Sequence, residues 1–406
     1  MSESAEGPSG VDAEIDHAGV ARAVTAVEAD LVALRRDLHA HPEPSWEEVR
    51  TTAVLRDLLS ARGVAVAPGE GATGLVAEVG TDGPLVALRA DIDALRMQDV
   101  KQVPYRSTVP GVCHACGHDV HVAAGVGATL ALAEVLRGRP GRVRVVFQPA
   151  EEAIPSGARP LAEAGRIDGA TAVFALHCDP QIEVGQVGLS PGPITSATDM
   201  VVIRLTGPGG HTARPHRTAD LINVAGRLAA DLPASLDRLT DPRDGVNLTF
   251  GSIAAGDAAN VIPTAAELRG SLRATGRAGW EDAAKILPAL IAGIAEPRGA
   301  SWELDHRVGA PPVDNDPWAT TLMGRAATAV VGPSGVLPTR QSGGGEDFSW
   351  FLERVPGAFI RLGVSPVGTQ GPDIHAAAFD VDEGAIAIGA RVLAGAALEA
   401  LAVASS

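Results

Sequence analysis

Cysteine, positive charge and long apolar runs are all scarce in this sequence of 406 residues. Only Cys113, Cys116 and Cys178 occur, which is too few, and an odd number, for a disulfide framework. A reducing compartment fits, and we expect a cytoplasmic protein. Lys and Arg total 33 against 49 Asp and Glu, a formal charge of −16. That balance argues against a general phosphate-binding surface, so no nucleic-acid partner is expected. The opening MSESAEGPSGVDAEIDHAGV holds no Lys, no Arg and no apolar leader core. No apolar stretch of about 18 residues is read along the chain either, so neither a leader nor a membrane span is expected.

What is present suits a globular chain. About 46% of the residues are hydrophobic, and at one domain per roughly 100–200 residues the length predicts two or three domains. The 47 Gly and 29 Pro residues fall between periodic segments and read as turn punctuation.

Residues 1–17 are acidic and small and are expected to fray. Apolar residues at Val24, Val27, Leu31, Leu34 and Leu38 recur at helical spacing, predicting a helix over 21–38 that Pro42 and Pro44 stop. A second helix is predicted over 46–62, ended by Gly63. Runs at 85–90, 143–147 and 172–176 are apolar without alternation, as in strands buried on both faces. Helices are predicted between them, at 120–136 with Asp119 as N-cap and Gly138 as stop, and at 158–164. This alternation implies an α/β fold with a mostly parallel sheet. Asp91 and Asp93 follow the first run, Glu151 and Glu152 the second, and His177 the third. Ligands of open parallel sheets bind beyond the carboxyl ends of the strands, so these residues converge on one edge.

The style changes after SPGPIT at 190–195. A strand over 200–206, a helix over 219–236, strands over 246–253 and 265–275, a helix over 280–295 and a strand over 302–308 give the order β-α-β-β-α-β. After Pro311 and Pro312 the α/β style resumes, with a helix over 318–331, a strand over 358–362 and a helix over 382–401. We therefore expect a catalytic domain in two parts, 1–193 and 311–406, interrupted by a ferredoxin-like α+β domain at 194–310.

The densest polar cluster is CHACGHDVH at 113–121. A thiolate at Cys116 and an imidazole at His118 suit zinc or a related transition metal. Taken alone, Cys113-x-x-Cys116 reads equally well as a buried or redox pair, although the cluster's three histidines exceed what a redox pair needs. FQPAEE at 147–152 sets two carboxylates in tandem after an apolar strand. One can bind metal while its neighbour accepts a proton from bound water. Taken alone, the Glu-Glu pair is a solvated turn, and His177 and His375 are satisfied core-edge or loop histidines.

Jointly, RADIDAL (89–95), HACGHDVH (114–121), FQPAEE (147–152), ALH (175–177), GPGGHTARPH (207–216), ANVIP (259–263), GGEDF (344–348) and IHAAAFD (374–380) form a specific constellation. It resembles the amidohydrolase branch of the dinuclear aminoacylase/carboxypeptidase family, which includes hippurate hydrolases, auxin-conjugate hydrolases and N-acetyl-diaminopimelate deacetylases. The resemblance runs from about Leu31 to Leu401, and RRDLHAHPEPSWEE at 35–48 matches the family's opening segment.

The resemblance implies Cys116, His118, Glu152, His177 and His375 as ligands of two divalent metal ions, with the Cys116 thiolate between them. Zinc is favoured by the thiolate, with manganese, cobalt or nickel as alternatives. It implies Glu151 as general base and Asp93 as a carboxylate that orients a ligand, with Asp91 a weaker candidate for that role. His211 becomes the oxyanion-stabilising histidine, often reaching into a partner subunit, and Asn260 a substrate contact. Arg273 could contact an anionic substrate end, but it is left unassigned, since arginines on strands are commonly structural.

The activity implied is hydrolysis of N-acyl or N-aroyl amino acids, small-molecule substrates, by a homodimer formed through the inserted domain. Hinges would lie near Gly192–Thr195 and Gly309–Pro312. Peptidase action on dipeptides or chain ends is the alternative, and a silent binding protein or a redox module is the competitor outside enzymes. Cys113 stands where the family commonly has methionine, and Arg96 and Met97 replace a proline-containing turn. These departures bear on pocket shape and redox sensitivity.

Overall fold

The strand Leu85–Asp91 is buried along all 7 of its residues, the pattern of a strand covered on both faces. It lies inside an eight-stranded sheet whose order is Ala65–Pro68, Leu75–Gly80, Arg142–Gln148, Leu85–Asp91, Ala170–Glu183, Gly357–Ser365, Val187–Gly188 and Val336–Leu337. Its four central strands are mutually parallel. The structure, a computed structural model, describes residues 15–405. The fraying expected of residues 1–14 lies outside the described residues. Residues 15–17 do not fray, because Asp16 accepts the Gly19 N–H at 2.7 Å and caps the helix His17–Ala40.

Helices His17–Ala40, His118–Val135, Pro317–Val331 and Gly384–Ala404 share the apolar core on one face. They approach closely where Gly127 leaves room: a Cβ there would stand 2.7 Å from a Leu31 methyl and 2.9 Å from the Ala390 Cβ. Ala158–Glu163 and Ser349–Leu352 cover the other face.

The strands Ala197–Thr206, Asn247–Ala255, Ala265–Ala274 and Ser301–Ala310 form a separate antiparallel sheet. From one edge its order is fourth, first, third, second, the ferredoxin-like arrangement. Helices Leu221–Leu239 and Arg277–Ala295 bury their apolar stripes against it in a core of their own. The chain leaves the large sheet through Gly192–Pro193 and returns through Asp314–Asn315, and these two segments pair antiparallel.

The antiparallel edge strands Ala65–Pro68 and Leu75–Gly80, short and Gly-flanked, were not read from the sequence, and three expectations need correction. The third core strand does not stop before His177 but continues to Glu183, so His177 sits within it. The helix expected from 46 starts at Val49, because Trp46 has a positive φ of 69°. The helix Gly384–Ala404 is long and apolar enough to cross a membrane by length and composition, contrary to the reading of the sequence, yet 78% of its apolar window is buried within the protein.

The cap at the helix His118–Val135 is corrected too. Gly117, at φ 88°, is the capping residue, and Asp119 lies inside the first turn. Its carboxylate accepts from Arg35 Nε at 2.7 Å and stands 2.8 Å from His39 Nδ1, with all three side chains buried. Burial alone would raise the Asp119 carboxyl, but Arg35 and His39 outweigh it and hold it far below the usual range. A carboxyl lowered on folding contributes stability above its unfolded pKa, near 3.9, and loses that contribution as pH falls below it. Asp119→Asn is therefore expected to cost about 3 kcal/mol at neutral pH, the scale of breaking a buried pair. The deficit should shrink toward pH 3. Urea unfolding at the two pH values measures this, and equal deficits would contradict it.

Candidate metal centre

Gly117 shapes the first part of the site. A Cβ there would stand 2.7 Å from Cys178 Sγ, and its φ is one that L side chains avoid, so a glycine is required between Cys116 and His118. The turn leaves Cys116 on a loop and makes His118 the first residue of a buried helix. His177 comes from the neighbouring strand, Glu151 and Glu152 from the turn after Arg142–Gln148, and His375 from the loop before the last helix.

These elements bring the five expected ligands together. Cys116 Sγ lies 3.2 Å from His177 Nε2. The other ring nitrogen, His177 Nδ1, donates to the Cys178 carbonyl at 2.7 Å. His118 Nδ1 likewise faces the Asp93 carbonyl at 3.0 Å and its carboxylate at 3.2 Å. Both imidazoles are thus held with Nε2 turned inward, the orientation second partners impose on metal-binding histidines. His118 Nε2 is buried without a hydrogen-bond partner among the described residues. His375 Nε2 is 3.0 Å from Glu152 Oε1, yet that oxygen has no aligned hydrogen bond. Two groups so close and so poorly aligned are arranged as ligands of one ion would be. The ligand atoms of Cys116, His118 and His177 lie within 4.8 Å of one another, and so do those of Cys116, Glu152 and His375. Cys116 belongs to both sets.

Not every polar group here is free. His121 Nδ1 stands 2.5 Å from Asp91 and its Nε2 accepts the Cys178 N–H at 2.9 Å, so neither nitrogen is left for an ion. Asp93 is a hub. It accepts the backbone N–H groups of Glu151 and Glu152, both at 3.1 Å, and the Ser45 hydroxyl at 2.7 Å, besides facing His118. One carboxylate therefore fixes both glutamates and an imidazole. His375 and Ala150 hold positive φ values of 61° and 54°, strained for residues with a Cβ. The His375 N–H to the Ala115 carbonyl at 2.7 Å and the Ala150 N–H to Glu48 at 2.8 Å keep them there.

Burial, then His121 and Arg361, push the His177 imidazole well down, while nearby carboxylates act on three other groups of the site. Burial, then Glu346 and Glu152, push the Glu151 carboxyl well up. Burial, then Glu152 and Glu151, push the Cys116 thiol up. Burial would lower His118, but Asp91 and Asp93 prevail and carry it to about 10. Carboxylates contribute to each of the three shifts, and a cation placed among them would offset that part. The orphaned Nε2, the unaligned carboxylate and the soft-and-hard donor set fit transition-metal ions.

A neighbouring network was not read from the sequence. Arg89, buried in the central strand, donates to Asp91 at 2.6 Å, Asp347 at 2.7 Å and Gln148 at 2.8 Å, and pairs with Glu346 at 3.0 Å. Burial and Glu346 push Asp347 up to about 7 against the pull of Arg89. The signal was available: a charged residue within an apolar buried run requires buried partners. Glu48 and Ser45 carried no such signal.

A cavity of about 710 Å³ is lined by Cys116, Glu151, Glu152, His177 and His375. Arg273, left unassigned in the sequence, lines it as well. His211 and Asn260 do not. They sit together on the ribbon of Gly210–His211 and Val261–Ile262, both exposed, with the Thr212 N–H donating to the Asn260 carbonyl at 3.3 Å.

A mostly parallel sheet with a thiolate, imidazoles and carboxylates at one edge, joined to a ferredoxin-like sheet, defines a metallo-hydrolase. Its sequence is consistent with that class. The profile of peptidase family M20/M25/M40 matches residues 87–399, and the chain belongs to that family. A Rhodococcus jostii protein provisionally named as a glutamate–cysteine ligase 2-3 is 46% identical over 90% of this chain, which spans only 46% of that relative's length. The N-acetyl-L-cysteine deacetylase of Bacillus subtilis is 37% identical over 89% of this chain and 86% of its own length. A Bacillus subtilis crystal structure described as a dinuclear metal binding peptidase from the M20 family superposes with a TM-score of 0.77 and 33% identity, covering 92% of this chain and 98% of the other.

Proposed function

We propose that the chain is an amidohydrolase that cleaves N-acyl or N-aroyl amino acids, using two divalent cations held by Cys116, His118, Glu152, His177 and His375. The observation that carries this reading is the pair of ligand sets sharing Cys116, with His118 and His177 each pinned through Nδ1. The cations, when bound, supply Lewis-acid polarisation of the scissile carbonyl and a more acidic water. Glu151, placed in the cavity wall and raised by burial and its acidic neighbours, accepts a proton and returns it to the leaving amine. Glu152 acts as ligand, since it, not Glu151, stands against His375. Asp93 positions both.

We take the domains as 1–193 with 311–406 and the insertion 194–310, with hinges near Gly192–Thr195 and Gly309–Pro312; two separate cores and the pairing of Gly192–Pro193 with Asp314–Asn315 support that reading. His211 and Asn260, exposed and outside the chain's own cavity, serve the partner's site in a homodimer formed through the inserted sheet. Zinc is the ion the thiolate favours, with manganese, cobalt or nickel able to replace it. Three free, buried cysteines suit a reducing, cytoplasmic setting.

The test is a side-by-side assay of hippurate, N-acetyl amino acids and dipeptides, with and without a chelator. Hydrolysis of the acyl amino acids that chelation abolishes and divalent metal restores is expected. Exclusive cleavage of dipeptides would replace this reading with a peptidase, and activity indifferent to the chelator would end it.

A further inference from the structure

The mechanism above leaves unused the arginines of its own cavity. Arg273, Arg340 and Arg361 line the same space as Cys116, His177 and His375. Arg361 stands level with His177 across the parallel pair Ala170–Glu183 and Gly357–Ser365, its guanidinium 5.6 Å from the Phe359 ring centroid. It is half-buried, and its side chain makes one long hydrogen bond, to the Ile194 carbonyl at 3.4 Å. Arg340, exposed at the rim, has no hydrogen bond or ion pair of its side chain among the described residues. Arg273 donates to the Gly343 carbonyl at 2.6 Å and has no carboxylate partner.

The interior arginines Arg35 and Arg89, by contrast, each hold several carboxylates. Six acids share the cavity wall, Glu151, Glu152, Asp179, Glu346, Asp347 and Asp373, and among the described residues none of them forms an ion pair with the three arginines; Asp179 accepts the Gln181 N–H at 2.8 Å and Asp373 the Ile374 N–H at 2.9 Å. The half-buried Arg361 guanidinium without an anion is costly, and an anion arriving from outside relieves that cost. One carboxylate is satisfied by one guanidinium fork, so the single α-carboxylate of an N-acyl amino acid leaves two forks unfilled.

We propose that the cavity selects N-acyl amino acids bearing a second carboxylate, held by Arg361 with Arg340. This rests on the amide-hydrolysis reading and sharpens its substrate class. The second carboxylate has two possible sources, a dicarboxylic acyl group or an acidic side chain. Two matched pairs separate them: N-succinyl-L-methionine against N-butanoyl-L-methionine, and N-acetyl-L-glutamate against N-acetyl-L-glutamine.

In at least one pair the dianion is expected to have a kcat/KM about 10- to 100-fold above its monoanionic partner, the scale of a charge-assisted hydrogen bond. The pair that shows the preference identifies the source. Arg361→Gln and Arg340→Gln are each expected to bring that ratio toward one. Arg340 is exposed, so its variant tests the site without touching the core, and the wild-type comparison needs no variant at all. Monoanionic partners cleaved as well as or better than both dianions would overturn the proposal while leaving amide hydrolysis intact. Absence of hydrolysis in all four, and in the wider panel, would instead strike the reading beneath it.

Discussion

Glu151→Gln is expected to lower kcat by about 10²- to 10⁴-fold, the usual share of a general base, with bound metal unchanged. The amide is nearly isosteric and the backbone N–H of residue 151 still donates to Asp93, so the turn keeps its shape. Glu152, whose Oε1 faces His375, keeps its place. What is lost is a carboxylate able to take a proton. Steady-state kinetics beside metal analysis of the same preparation measures both quantities. A variant that turns over like the wild type removes the assigned base, and one that also loses metal makes Glu151 a ligand.

Cys116→Ala is expected to be as damaging by a different route. Its sulfur belongs to both ligand sets, so one truncation takes a donor from each. At least one of the two ions should be lost and turnover should fall about 100-fold or more, the upper end of what disturbing a metal's shell costs. The helix should still form, because Gly117 and His118 set its start. Metal stoichiometry by mass spectrometry together with circular dichroism separates this from unfolding. Full occupancy by two ions in the alanine variant would show that the thiolate does not lie between them.

The two predictions differ in what the sequence made legible. The continuous apolar runs marked the core strands because a strand covered on both faces has no polar alternation, and the polar residues after them marked the edge. The ferredoxin-like order was legible for the same reason: its periods change cleanly from two to about 3.6 and back. Short segments such as Ala65–Pro68 were not, since 4 residues of mixed exposure carry no period. The expected ligands were legible through the resemblance, with Glu152 alone following a core strand as observed, and the ligand atoms of Cys116, His118 and His177 and of Cys116, Glu152 and His375 lie close together. Asp119 misled because an acidic residue before an apolar helix is a good cap in isolation, and nothing local reveals Arg35, 84 positions earlier, as its partner. Arg89 and Asp347 belong to the same class of miss, a pairing that exists only after residues 258 apart have met. His211 and Asn260 were placed by motif alone, and the chain's own fold keeps them outside its cavity.

The short antiparallel contact of Gly192–Pro193 with Asp314–Asn315 has a consequence for how such a molecule can be built. Exit and return of the smaller module stand side by side, so the larger one meets it as it would meet a tight hairpin. A module of another shape spliced at the same doorway would leave the ion-holding side chains undisturbed, because all of them belong to segments before or after it. Reshaping what enters the cavity is thereby separable, in evolution or by design, from the chemistry done within it.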